Sequence, residues 1–535
     1  MSEDQKLSGS ATGATRRPRA GLVVLCGVLL LAGLAIRAAL PLWSMRSQQV
    51  GDHFFIMGFG LTAQQHGLLK VYSVPGEQNA SVSGRVFRQG EWEDTTLQYP
   101  MRIVFPPLLV TLLWAQVHVL GAIDPQLTAN TLTARWVMQV PSVLAEIVLA
   151  AGVFMVGRQF LSRRRAFAAA AICWLFPPLA MDSSFWGQTD MLPLAPGIFV
   201  VYFLLRRRWV SAGVCLGLAF MLKPQGALFG PIGLLAAAIV PPDGPKLTLG
   251  RFAVRAGKFL GAAAVVIAVV TLPWTIADGL HWFSASCLEY FRYHRETTLQ
   301  ALNLWYLDAL RLDTRPVPDA ISSTVPLLGL SKDLWGRLLL AAASIAIVAL
   351  CWRKYRRRPV GLVVFAGLWL WSTFMLPTRA VDRYIVYCMP FVILSVLAMP
   401  RLVPALIGLA IIGTAEMTWT EWAHLHAGHF SRRAESLHQV VLEVYRQEVS
   451  KLPADQRPPP VTRRELDEAY WPAYSRERDE SRDLEYVLTI LSLLAYAYAL
   501  PAALVGRAPR DPPDPAVSEG LAGTAGGVDA PCGGL

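Results

Sequence analysis

The chain is short of charge. Of its 535 residues only 16% are Asp, Glu, Lys or Arg, where a soluble domain usually carries about a quarter. The shortfall is uneven. Long apolar runs hold almost no charge, and the charges gather between them. That pattern excludes an ordinary soluble domain and points to a polytopic membrane protein. A disulfide framework is also missing. The seven cysteines are Cys26, Cys173, Cys215, Cys287, Cys351, Cys388 and Cys532. Most fall inside apolar runs and none forms a CxxC, so they read as small core hydrophobes. There is no nucleotide-binding glycine loop, no HExxH and no internal repeat. Acidic residues fall short of basic ones, leaving a net charge of +11. The arginines flank apolar runs, so the positive-inside rule accounts for them better than nucleic acid does.

What is present is a series of candidate spans. Gly21–Trp43 is too long for a signal h-region and reads as a retained first span. Arg16, Arg17 and Arg19 put the preceding tail in the cytoplasm, so Asp52 lies on the outer side. Phe105–Leu120 is short for a span. If it is embedded and does not cross, Arg158, Arg163, Arg164 and Arg165 fall inside, as the rule requires. Ala166–Phe185 then goes outward to Trp186-Gly187-Gln188-Thr189-Asp190, and Met191–Leu205 returns to Arg206, Arg207 and Arg208. Val210–Val240 becomes a hairpin of two short helices turning at Lys223-Pro224-Gln225. Phe259–Trp274 goes outward and Leu334–Cys351 returns. Val360–Leu376 goes outward, Tyr384–Met399 returns, and Val403–Trp419 goes outward.

The expected fold is therefore all-α and polytopic, with about twelve transmembrane helices. The expected divisions are a cytoplasmic tail (1–20) and a transmembrane module (21–419) whose long first outer loop (51–122) carries an embedded helix. A polar helical subdomain on the outer side (420–485), a last transmembrane helix (486–505) and a disordered cytoplasmic tail (506–535) follow.

This topology gathers polar residues on one membrane face. Asp52 and His53 follow the first span. Arg102, Asp182, Gln188, Asp190, Lys223, Gln225, Asn303, Arg379, Asp382 and Arg383 lie in later turns on the same side. Charge at a membrane boundary is costly and usually functional. Arginine and lysine there can hold phosphate, and a carboxylate can take a proton from an attacking hydroxyl or amine. An anionic lipid substrate would explain a site at the boundary.

The segment GDHFFIMGFGLTAQQHGLLKVYS resembles the first outer loop of the GT-C glycosyltransferases. These integral-membrane enzymes use polyprenyl- or dolichyl-phosphate sugars. YPMRIVFPPLL is similar to the family's YPP-type helix, SSFWGQTDMLPL to its WGQ-x-D turn and MLKPQGALFGP to its KPQ turn. ALNLWYL resembles the NLW segment and LPTRAVDRYIVYCMPF the late HERY-type turn. Order and spacing agree over roughly Gly21 to Pro400, nearest to bacterial mannosyltransferase-like proteins related to the GPI-anchor mannosyltransferases. Two departures stand out. Five residues separate Tyr99-Pro100 from Pro106-Pro107, and Val381 and Asp382 stand where His and Glu are common.

The resemblance implies a hexosyltransferase that moves a mannose-like sugar from a polyprenyl-phosphate donor to a lipid, glycan or protein acceptor, with inversion. It implies Asp52 as general base. Lys223, Arg379, Arg383 and Arg37 become candidates for the donor phosphate. Trp186, Gln188, Asp190, Gln225 and Asn303 become candidates for sugar or acceptor. No metal or other cofactor is indicated; His424, His426 and His429 in HLHAGH read as a solvated amphipathic stretch rather than ligands. Membrane lipids are the expected surroundings, the bacterial inner membrane the expected place, and the periplasm the side the site faces.

Structural readings stand beside these. Asp52 and Asp182 can each cap a helix start. His53 can be a surface or interfacial residue, and Trp186, Trp305 and Tyr306 an aromatic belt. Lys223 and Arg37 can snorkel to headgroups. A transporter or lipid flippase is the main alternative function, but it would place charges at mid-span and often shows a repeat. A non-catalytic scaffold of the same fold is the other.

Overall fold

The computed structural model describes residues 18–46, 50–88, 91–98, 102–239, 248–289, 298–299, 301–307, 323–324, 326–355, 358–426 and 485–505. Helices dominate them. The expected 420–485 subdomain falls mostly outside the described residues, as do His429, both tails, Cys532 and Tyr99-Pro100 of the YPM segment.

Among the described residues six helices are long and apolar enough to cross a membrane: Val23–Ser44, Leu132–Gly157, Leu249–Asp278, Lys332–Tyr355, Pro400–Thr418 and Glu485–Leu504. A helix of 20 residues spans about 30 Å, the thickness of the hydrocarbon core. A seventh candidate is bent, with Arg163–Leu175 and Pro177–Phe185 meeting at 44°. The cause lies in the sequence. Phe176 precedes two prolines, which disfavour a helical conformation before them and offer no N–H to the turn behind. Phe176 is accordingly extended, at φ −69° and ψ 118°.

Five further apolar helices are shorter: Pro107–Ile123, Met191–Leu205, Trp209–Leu222, Pro224–Ala238 and Pro359–Met375. Met191–Leu205 and Pro359–Met375 are buried along most of their length. A helix apolar on every side belongs in such an interior. By length and composition the described residues thus supply six candidate spans, or seven with the bent pair, beside the five shorter apolar helices. The expected Tyr384–Met399 span is instead a 3₁₀ stretch, Asp382–Cys388, followed by the ten-residue helix Met389–Ala398.

The expected first outer loop is more structured than its polar sequence suggests. It opens with a helix, Val50–His66. An antiparallel hairpin follows, Val82–Arg88 against Glu91–Leu97, with Val82 facing Leu97. This departs from the all-helical expectation, as do two smaller pairings. Thr298–Leu299 lies parallel to Ala380–Val381, and Pro326–Leu327 pairs with Leu330–Ser331. The expected embedded segment is the helix Pro107–Ile123, which starts on a proline at its first position, where the missing N–H costs nothing. It packs against Val50–His66 and Leu132–Gly157.

Candidate active site

Four stretches separated by breaks in apolar sequence supply the polar side chains that meet. The first is the start of Val50–His66. Asp52 is its third residue, so it sits inside the first turn and is not the cap. Carboxylates are favoured there because the unpaired N–H groups of a helix start carry partial positive charge.

The second stretch is the tryptophan turn. After Pro178 the chain makes a wide helical turn, Met181–Phe185, and reverses at Gly187, whose φ is +71°. That left-handed backbone favours glycine. A Cβ there would also come within 3.3 Å of Gln139. The Gln188 backbone is held on both sides: its N–H donates to Asp182 O at 2.9 Å, and its carbonyl accepts from Ser142 Oγ at 2.8 Å.

The third is the Lys223 turn. Lys223 is fully extended between the helix Trp209–Leu222 and the 3₁₀ turn Pro224–Phe229. Gly226 allows the turn to fold onto the helix it leaves, since a Cβ there would stand 2.3 Å from the Ala219 carbonyl carbon. The fourth is the late turn. Its Ala380–Val381 strand is pinned to Thr298–Leu299, and the 3₁₀ stretch from Asp382 follows. Side chains three apart on a 3₁₀ helix share a face, which brings Tyr384 and Tyr387 to the same side.

Gln188 Nε2 donates to Asp52 Oδ2 at 2.6 Å. The Arg383 guanidinium lies between three carboxylates: Nη1 is 3.6 Å from Asp52 and 3.9 Å from Asp382, and Nε is 3.5 Å from Asp190. It also sits over the Trp186 ring, 5.9 Å from its centre. Asp190 Oδ1 accepts from Lys223 Nζ at 2.7 Å and from Tyr387 OH at 3.0 Å. Gln225 Nε2 donates to Tyr384 OH, and Lys223 Nζ lies 5.7 Å from the Tyr384 ring centre. Exposure is graded. The side chain of Asp190 is 0% exposed and that of Lys223 5%, Arg383 is at 22% and Asp52 at 35%. The outermost acid is Asp52, with a buried Lys–Asp pair behind it.

Asp382 joins this cluster although it replaces the residue common in the family's late motif. Its carboxyl is pushed up to about 7, by burial first, against the pull of Arg383. Its Oδ1 accepts the Arg383 backbone N–H at 2.7 Å. Asp182 is wholly buried, and neither carboxylate oxygen has a hydrogen-bond partner. His53 is buried, not interfacial. Burial, and then the charge of Arg135, lower its pKa well below the usual histidine range.

Other expected site residues are engaged elsewhere. Arg37 is 2% exposed and pairs with Glu146 through Nε and Nη2. It also donates to the carbonyls of Gly33 at 3.0 Å and Trp174 at 2.8 Å, and lies 3.8 Å from the Trp174 ring centre. It neither snorkels nor presents a guanidinium to a phosphate; it ties the first span to two others. Asn303 is a turn residue, donating to Phe374 O and accepting from Trp305 N. Arg379 has a φ of +64° and turns toward Ser323 Oγ at 3.3 Å and Asp333 at 4.0 Å. Arg102 pairs with Glu289 at 3.3 Å. Trp186 is 1% exposed, so its ring is a floor under Arg383 and not an open platform. Among the described residues no three His, Cys, Asp or Glu side chains converge as metal ligands.

Residues 127–275 match the family model of the dolichyl-phosphate-mannose-protein mannosyltransferases. The matched stretch includes the Trp186 and Lys223 turns; Asp52 and Arg383 lie outside it. No curated protein matches the chain. Among solved structures the chain is similar to ArnT from Cupriavidus metallidurans bound to undecaprenyl phosphate. Identity is 16% over 90% of this chain and 77% of that one, with a TM-score of 0.43. It is also similar to AglB from Archaeoglobus fulgidus in complex with an inhibitory peptide and a dolichol-phosphate. There identity is 13% over 90% of this chain and 56% of that one, with a TM-score of 0.35. The family match covers less than a third of the chain, whose described residues include six helices of membrane length.

Proposed function

We propose that the chain transfers a mannose-like hexose from a polyprenyl-phosphate donor to a lipid, glycan or protein acceptor at the outer face of the membrane. The observation that carries this reading is the graded cluster: a part-exposed Asp52 carboxylate held by Gln188 and backed by Arg383, in a chain that matches a mannosyltransferase family over residues 127–275.

Asp52 takes the proton of the acceptor hydroxyl. The acceptor oxygen forms its bond to the anomeric carbon as the bond from that carbon to the phosphate oxygen breaks. The electron pair leaves with the lipid phosphate, and a single displacement inverts the configuration. The leaving phosphate is already anionic, so it needs a cation more than an acid. Arg383 meets that need from the site itself, whereas Arg379 of the same turn is directed to Ser323 and Asp333. Lys223 is sealed against Asp190, so it acts through Asp190, fixing the carboxylate that faces Arg383. Gln188 holds the base, while Gln225 holds Tyr384. Trp186 supports the guanidinium.

The test is incubation of purified full-length protein with a panel of polyprenyl-phosphate hexoses and a membrane lipid extract, read by mass spectrometry. The reading expects one hexose to appear on an acceptor, with release of polyprenyl phosphate. Release of the sugar to no acceptor, or no consumption of any member of the panel, contradicts it.

A further inference from the structure

Arg383 is the less well satisfied of the two cations in the cluster. Good charge-assisted hydrogen bonds run about 2.7–2.9 Å. Gln188 to Asp52 at 2.6 Å and Lys223 to Asp190 at 2.7 Å are of that tight kind. Arg383 stands 3.5, 3.6 and 3.9 Å from three carboxylates. Among the described residues its Nε and the facing Asp190 Oδ2 are both buried without a hydrogen-bond partner. Leaving such groups unmade is expensive, so the side chain gains from any oxyanion that completes its bonds. The backbone beneath it is fixed by the Ala380–Val381 pairing and by the Asp382 carboxylate on its own N–H. Motion is therefore confined to the side chain, which has the Trp186 ring to turn over.

We propose that Arg383 couples donor binding to activation of the base: the guanidinium that rests on Asp52 in this structure is drawn onto the donor's phosphate, which releases Asp52 for the acceptor's proton. The inference rests on the function proposed above and deepens it. A carboxylate freed from an ion pair is a stronger proton acceptor. The enzyme then holds its base in check until the lipid phosphate is in place, and the donor must bind before the acceptor is deprotonated. Asp52 and the phosphate are competitors for one cation. By linkage, whatever removes the hold of Asp52 on Arg383 while leaving the guanidinium in place must strengthen phosphate binding.

The experiment is a double-mutant cycle on the full-length protein in lipid nanodiscs, with undecaprenyl phosphate as the probe and binding read by tryptophan fluorescence. Asp52→Asn should tighten binding about tenfold, within the usual range of coupling between sites. In an Arg383→Gln background that gain should vanish. A gain of equal size in both backgrounds means plain charge repulsion by Asp52, and overturns the coupling. No gain from Asp52→Asn, with wild-type binding intact, overturns it too and leaves the proposed function standing. If the wild type does not bind the probe at all, the polyprenyl-phosphate reading fails and the coupling with it. Should Arg383→Gln not fold, Arg383→Lys serves, since a point charge on a different reach cannot make the fork contact. The Asp52→Asn gain should then shrink measurably, and an undiminished gain counts against the proposal.

Discussion

At the scale of single residues, the site is a set of partners chosen across long sequence distances. Lys223 and Asp190 are the clearest pair, both buried and 2.7 Å apart. Removing one partner of such a pair strands the other, at about 3–5 kcal/mol. Lys223→Met should therefore lower the midpoint of thermal unfolding sharply, and adding Asp190→Leu should recover part of the loss. A midpoint unchanged by Lys223→Met would show that the pair contributes nothing. Asp382 gives a pH dependence with a definite sign. Its folded value is about 7, above the roughly 3.9 of an unfolded aspartate. The folded state binds the extra proton between these values, so this contribution is full below about pH 4 and is lost as pH rises through about 7. Thermal scans from pH 5 to 8 should show stability falling with pH, and Asp382→Asn should flatten that part of the curve. An equal slope in the variant would assign the dependence to another group.

How much of this was readable from the sequence differs residue by residue. Asp52, Gln188, Lys223 and Arg383 stood out because each interrupts an apolar stretch near a glycine, a proline or another charge. Asp382 looked like a departure from a motif, and Tyr387 like one more aromatic in an apolar run; only the 3₁₀ path of 382–388 turns them to the cluster. Arg37 was misread for a different reason. Its partner Glu146 lies 109 positions away, and no local pattern announces that pairing. Arg379 and Arg383, four residues apart, looked equivalent, but the left-handed backbone at Arg379 sends one to Asp333 and leaves the other at the site.

At the scale of elements, breaks in helices make the site. The Phe176-Pro177-Pro178 bend, the Lys223 turn and the 3₁₀ start at Asp382 each deliver polar side chains where a continuous helix would bury apolar ones. Prolines and glycines mark the first two, so the sequence showed them. An apolar helix enclosed by other helices has the composition of one that crosses a bilayer, so composition alone does not separate the short buried helices from spans. Gly226 tests the role of the Lys223 turn. Gly226→Ala forces a Cβ against the backbone of Ala219, which a flexible side chain cannot relieve. It should cost about 1–3 kcal/mol, as overpacking does, and should slow transfer by displacing Lys223 and Gln225. Normal stability together with normal transfer would mean the turn tolerates the shift and does not position the site.

At the scale of the whole molecule, a low-charge chain folds into a helical membrane protein with buried charges at several places. One group staples spans together, through Arg37 and Glu146. Another, around Arg383, grades outward from a sealed Lys–Asp pair to the partly exposed Asp52. The central claim is that Asp52 is the base of a sugar transfer. It is tested most directly by single-turnover transfer from the donor found in the panel assay, comparing wild type with Asp52→Asn at saturating donor. The account predicts a loss of about 10²–10⁴-fold, the usual worth of a general base, with donor binding retained. Transfer at the wild-type rate in Asp52→Asn would contradict it.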